Sequence, residues 1–214
     1  MFEFCGSGAS GTAAAPIPRI GRNPLGVSIK NVSAYMLFLH GRTTDHHRGE
    51  SRKMPALKID VIAVGKLKER YWSDACDEYL KRCTPYAQLQ LREVADRSTK
   101  SLDSDVAVRQ AEAQDIGRLL GAAGATYSIM LDSAGRQLTS TELAGLLTSL
   151  QNQGISHMSF VIGGSTGLDT TLKQGADLLL SFGRITLPHN LARVVLLEQL
   201  YRAFKINRGE PYHK

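Results

Sequence analysis

From Leu57 to the C-terminus, short apolar runs alternate with longer stretches of helical period, and this limits the fold more than any other feature of the chain. Leu57 to Val64 (LKIDVIAV) is rich in β-branched residues and stops at Gly65, which reads as a buried strand. Tyr71, Ala75, Tyr79 and Leu80 then fall at helical spacing, predicting a helix from Tyr71 to Cys83. Leu89 to Val94 alternates apolar and polar residues as a second strand. A long helix is expected over Val106 to Ala122, with Gly121 and Gly124 as stop signals. Thr126 to Leu131 is a third strand, and a helix from Thr141 follows until Gly154 ends it. Met158 to Ile162 and Leu178 to Phe182 supply the last strands, and Leu191 to Ile206 a closing amphipathic helix. Five strands separated by helices predict an α/β fold: a mostly parallel sheet with helices on both faces. Ligands of such sheets bind beyond the carboxyl ends of the strands. That rule singles out three loops, Asp132 to Gly135, Gly163 to Gly167 and Gly183 to Asn190.

Residues 1–53 read differently. Ser, Gly, Ala, Pro and Arg dominate residues 6–30 without a sustained period, too little apolar surface to offset the entropy of ordering. No apolar core of the secretory type follows a charged start. Met54 sits just before the first strand, so this segment is expected to be a misassigned start or a disordered extension. Its acid-poor composition gives a weaker third reading as a targeting segment. The domain proper is then residues 54–214. The net charge of +6 is divided unevenly: residues 1–53 carry seven Lys or Arg against three acids, and residues 54–214 nineteen against seventeen. Within the nearly neutral domain, residues 184–214 hold six basic and two acidic residues, which predicts an anionic partner met at one end. No apolar run approaches the ~20 residues of a membrane span. Cys5, Cys76 and Cys83 are an odd number without metal spacing, and His46–His47 stand without other ligands nearby. A cytoplasmic setting with no metal and no membrane is expected.

Two of the loops carry chemistry. In Val161 to Asp169 (VIGGSTGLD) paired glycines follow a strand and let the backbone approach a ligand closely, although a tight turn alone would also use them. Gly167 adds a second permissive point, and amides exposed there could bind a carboxylate or hydroxyl. The first strand–helix unit lacks the G-x-G-x-x-G of a dinucleotide fold, and no phosphate-binding G-x-x-x-x-G-K-[ST] occurs. In Ser181 to Asn190 (SFGRITLPHN), Pro188 ends the strand path and Asn190 is the expected N-cap of the last helix. That helix presents Arg193, Glu198, Arg202 and Lys205. By composition, Pro211 to Lys214 reads as a frayed terminus.

KIDVIAVGKLKERYW, VIGGSTGLD and LSFGRITLPHNLARVVLLEQLYRAFKINRGEPYHK, taken in that order, closely resemble the large-subunit ribosomal RNA methyltransferase H family of SPOUT, or α/β-knot, methyltransferases. The resemblance covers Leu57 to Lys214. It implies a C-terminal trefoil knot, an exception to the unknotted rule, and a homodimer that uses S-adenosyl-L-methionine. The implied reaction is methylation of N3 of a pseudouridine in 23S ribosomal RNA on the assembled ribosome. The family's cofactor contacts fall on Leu131, Gly163, Phe182, Gly183, Arg184, Ile185, Thr186 and Leu187. Backbone contacts are expected to matter more than the Arg184 side chain. Two alternatives remain, a SPOUT enzyme acting on tRNA and a non-catalytic ribosome- or RNA-binding protein.

Methyl transfer from a sulfonium needs alignment more than activation, but N3 of a pseudouridine must lose a proton. The candidates for removing it or stabilising the anion are His213, Tyr212, Glu198 and Arg202. His213, Tyr212 and Arg202 are expected to be catalytic, and Arg193, Arg202 and Lys214 to hold RNA. A near-neutral domain with one basic end should bind free RNA weakly and require a shaped site.

Overall fold

The computed structural model of the protein describes residues 56–97, 104–124 and 126–212. The expected extension or misassigned start at residues 1–53, and the site candidates His213 and Lys214, lie outside the described residues. The elements run β1 (Lys58–Val64), α1 (Arg70–Cys83), β2 (Gln88–Val94), α2 (Asp105–Ala122), β3 (Tyr127–Gln137), α3 (Ser140–Asn152), β4 (His157–Ile162), α4 (Thr170–Gly175), β5 (Leu178–Ser181) and α5 (His189–Asn207). All strand pairs are parallel, in the order β2-β1-β4-β3-β5. The parallel α/β expectation holds.

Parallel neighbours need crossovers, and here the crossovers cover both faces. Ile59, Val61 and Ala63 point to a core shared with α1, α3 and α5, built around Leu147, Phe160, Leu196, Leu197 and Leu200. Ile62 and Val64 point the other way, against Ile116 of α2 and Leu172 of α4. Their strict alternation follows from the two-residue repeat of a strand, and burial on both faces explains why LKIDVIAV is almost wholly apolar. Local caps fix the helix starts. Ser104 accepts the Ala107 N–H at 3.2 Å, and Thr139 and Glu142 form a reciprocal capping box on α3. No helix among the described residues is long and apolar enough to cross a membrane.

Two sequence expectations need correction, and one element was not foreseen. Asp132 to Gly135 is not a loop: β3 continues to Gln137, with a register shift against β5 between Leu131 and Arg136. The polar DSAGRQ segment lacks strand composition, and its pairing with β5 makes it a strand. Asn190 is not the N-cap of α5. Pro188 holds that position, without a side-chain cap, and Asn190 lies inside the first turn. The six-residue α4, capped by Asp169 through the Thr171 N–H at 2.8 Å, is too short for periodicity to reveal.

Candidate active site

The register of the sheet brings the predicted cofactor positions together. Leu131 of β3 stands opposite Ile162 of β4 and Leu180 of β5. Leu131, Gly163 and Phe182 therefore emerge at one carboxyl edge. The glycine loop folds on itself there through a bridge between Gly164 and Gly167, with the Gly167 N–H donating to Gly164 O at 3.1 Å and Gly167 at φ 79°. A Cβ on Gly163 would lie 3.0 Å from Gly167 C and from Leu168 Cγ. One on Gly164 would lie 3.0 Å from Val64 Cγ1 and 3.1 Å from Glu112 Oε2. A side chain at either position would have to push these neighbours aside by a few tenths of an ångström. The loop also buries the Thr166 Oγ1 without a hydrogen-bond partner.

The neighbouring loop, 182–188, is tied at its start. Ser181 Oγ accepts the Gly183 N–H at 3.1 Å and lies 3.3 Å from Ser133 O. Gly183, at φ 110°, then turns the chain outward in a conformation that side chains resist. Arg184, Ile185 and Thr186 are exposed, and Ile185 keeps 77% of its surface in solvent.

Arg193, expected on RNA, is instead fully buried. Its Nη2 donates to Val64 O at 2.6 Å and Gly65 O at 2.8 Å, and its Nη1 to Glu93 Oε1 at 3.1 Å. It shares the inward face of α5 with Ala192, Leu196, Leu197 and Leu200. That guanidinium clamps α5, just after the 182–188 loop, onto the carboxyl ends of β1 and β2, and it cannot reach RNA.

Arg202 and Tyr212 form a second group. Arg202 donates through Nε at 3.0 Å and Nη2 at 2.6 Å to Glu198 Oε1, which also accepts from Tyr212 Oη. The Arg202 guanidinium carbon lies 3.9 Å from the Tyr212 ring centroid, inside cation–π range. Burial raises the Glu198 carboxyl, but hydrogen bonds from Tyr212 and Arg202 outweigh it and hold the group below its ordinary range. Burial, with the bond to Glu198, pushes Tyr212 up to about 12. Neither is suited to take a proton near neutrality. The residues before the end are not frayed as composition suggested: Glu210 accepts from Tyr86 Oη at 2.6 Å and Lys205 Nζ at 2.7 Å, and Tyr212 packs edge-on against Tyr201.

Among the described residues, the two groups stand at different places along α5. Arg202 lies 13 residues beyond His189, the first residue of α5, about 20 Å along the helix at ~1.5 Å per residue.

Two residues were missed, His189 beside Gly65 and Glu112 beside Gly164. His189 Nε2 comes within 3.4 Å of the place a Gly65 Cβ would take. Burial, then the Arg193 charge, lowers its pKa against the opposing pull of Asp96 and Glu69. Glu112 is buried, accepts the Arg97 N–H at 3.2 Å, and is raised in pKa, first by burial. Its signal was available, because Val108, Glu112 and Ile116 repeat every four residues and form the buried face of α2. A carboxyl raised in the fold binds protons there more tightly than in the unfolded chain. Its contribution to stability is therefore fully present below its ordinary value of 4.5 and is lost as pH rises through the folded value. Glu112→Gln should consequently be more stable than the parent at pH 8, with the gap closing toward pH 4.5. Urea midpoints across that range would test this, and a gap independent of pH would refute it.

A sequence model of the family described as "Predicted SPOUT methyltransferase" matches residues 57–213. The chain is 48% identical over 159 residues to ribosomal RNA large subunit methyltransferase H of Bifidobacterium adolescentis, an alignment covering 74% of this chain and all of that protein. The protein of the same name from Bifidobacterium animalis is 46% identical, and that from Streptococcus equi 45%, with the same coverage of both chains.

Proposed function

The chain belongs to the SPOUT methyltransferase family, and from that premise we propose that residues 54–214 methylate N3 of a pseudouridine in 23S ribosomal RNA, on the assembled ribosome, using S-adenosyl-L-methionine. The observation that carries this reading is the convergence of Leu131, Gly163 and Phe182 at one sheet edge, beside a loop exposed from Arg184 to Thr186. The relatives' shared name supports ribosomal RNA as substrate. The residues fit the cofactor. Gly163 and Gly183 present backbone without a side chain, Leu131 and Leu187 offer half-buried apolar surface, and the start of α5 lacks a side-chain cap. The C-terminal trefoil knot belongs to the same proposal.

Bound there, S-adenosyl-L-methionine supplies a methyl group on a sulfonium with a good leaving group. The chain supplies alignment. Gly163 and the backbone of Phe182, Gly183, Arg184, Ile185, Thr186 and Leu187 hold the donor against Leu131. Arg202, oriented by Glu198 and Tyr212, stabilises negative charge on the uracil ring or meets a phosphate, and Lys214 adds a contact to RNA. His213 accepts the N3 proton, an imidazole being the side chain suited to proton transfer near neutral pH. The roughly 20 Å along α5 from His189, next to the 182–188 loop, to Arg202 supports a homodimer in which each chain's C-terminal group serves its partner's loops.

The test is to incubate the protein and cofactor with unmethylated ribosomes, tRNA and free ribosomal RNA, and to map methylated nucleosides by mass spectrometry. We expect 3-methylpseudouridine in the ribosome sample alone. Product in tRNA would overturn the substrate, and failure to bind cofactor by calorimetry would leave a non-catalytic RNA-binding protein. Gly163→Ala forces a Cβ into contacts of 3.0 Å. It should weaken cofactor binding about tenfold, on the order of 1.4 kcal/mol, and unchanged affinity would place the cofactor elsewhere.

A further inference from the structure

The amino ends of β1, β2 and β4 carry a polar concavity at the edge of the sheet opposite Gly163 and Phe182. Central strands of a parallel sheet are ordinarily apolar on both faces. The carboxyl halves of β1 and β4 obey this, with Ile62, Val64 and Val161 buried. The amino halves depart from it. On the same face stand Lys58 and Asp60 of β1, Gln88, Gln90 and Arg92 of β2, and His157 and Ser159 of β4. With the end of α2 at Ala122 and Ala123, all of these but Ser159 line a cavity of about 250 Å³.

The floor is built rather than incidental. Asp60 is 4% exposed, and a buried carboxylate is costly unless paired. One of its oxygens lies 3.3 Å from Arg92 Nε and the other 3.0 Å from His157 Nε2. Arg92 Nη2 also donates to Gln90 Oε1 at 3.2 Å. Ser159, beside Asp60 in register, is fully buried and its Oγ has no partner. Both Asp60 oxygens are engaged on the floor, so the charge left facing the opening is positive. It is the charge of Lys58, which enters none of the ion pairs formed among the described residues, while Arg92, its charge offset by Asp60, adds its remaining guanidinium hydrogens as donors. The negative end of α2 works against an anion here. It is muted, because the Ala123 N–H caps Leu119 O at 3.1 Å and the Gly124 N–H caps Gly121 O at 3.2 Å.

We propose that this concavity is a second anion site that takes a phosphate group, borne by an RNA backbone or by a small phosphate compound. It lies the length of β1 from the methyl-transfer edge, about 20 Å at ~3.3 Å per residue, so it anchors a ligand and takes no part in the chemistry.

Inorganic phosphate titrated into the full chain should give a saturable shift of the His157 imidazole resonances, assigned by their loss in His157→Gln. Lys58→Gln, at an exposed position, should abolish the shift without changing the melting temperature. A short single-stranded RNA oligonucleotide forms the parallel arm. If it moves the same resonances, and Lys58→Gln lowers the salt slope of its binding by about 1, the phosphate belongs to an RNA backbone. A shift with phosphate and not with RNA assigns the site to a small phosphate compound. No saturable shift with either, or an equal shift in Lys58→Gln, overturns the proposal. The readout is binding alone, so it stands or falls independently of any methyl transfer.

Discussion

Gly135→Ala should be strongly destabilising, lowering the melting temperature by about 6–12 °C. A Cβ at that position would lie 2.7 Å from Leu179 C, Leu180 C and Leu180 N, all backbone atoms of β5. No rotamer change can relieve contacts of that kind, so β3 and β5 would have to separate. They are joined by a ladder from Ile129 to Gln137, and Leu180 is part of the core. Overpacking a well-packed site ordinarily costs about 1–3 kcal/mol, and a clash against three backbone atoms belongs at or above the top of that range. For a domain of this size, ~3 kcal/mol lowers the melting temperature by about 6–12 °C. Gly145→Ala is the control. It lies in α3 with nothing within 4 Å of its would-be Cβ, and should be neutral or stabilising by up to about 1 kcal/mol. Melting both variants decides the matter: a Gly135→Ala protein that unfolds within a degree of the parent would mean that β3 and β5 do not approach so closely.

Arg193→Ala should cost about 2–4 kcal/mol. It removes three hydrogen bonds from a site without solvent access, strands the carbonyls of Val64 and Gly65, and leaves a cavity beneath the start of α5. Burial pushes the guanidinium down from its usual range, but arginine begins so high that it keeps its charge. Glu93 is only partly buried and can recover water, which keeps the loss below that of a fully enclosed pair. Arg193→Lys retains a cation with one donor group in place of the fork, and should recover part of the stability. The alanine variant separates the clamp from the RNA role expected of this residue in the sequence, because it removes the charge. A clamp predicts an unchanged salt slope for RNA binding by the folded protein, whereas a phosphate contact predicts a slope lower by about 1. Urea unfolding together with a salt titration gives both numbers, and a stable variant with a reduced slope would restore the RNA reading.

The misreadings at Arg193 and Gly135 and the oversight of Glu112 have one origin. Arg193 and Glu112 lie on apolar helical stripes, where periodicity alone does not tell a buried charge from an exposed one. Whether a charged residue on such a stripe turns inward depends on whether another element brings it a partner. For Arg193 the partners are Val64, Gly65 and Glu93, which stand 100 residues or more away in sequence. Gly135 looked like a turn glycine because its neighbours are polar, and the β5 backbone that demands it is likewise remote.

What the sequence determined by itself was whatever repeats locally. The two-residue period of LKIDVIAV and MSFVI, the near four-residue period of the helices, and the glycines after β4 set the elements, the parallel sheet and the edge where a ligand would bind. The GGSTG and PHN segments made the family legible, because a long ordered match carries more than composition. Only the tertiary structure decided that α5 is clamped by Arg193, that Tyr212 rests on Arg202, and that Asp60 supports a polar floor at the far edge. Local period is set by the geometry of one chain segment, whereas burial of a charge is settled only when distant segments supply the opposite charge or the carbonyl that makes it affordable.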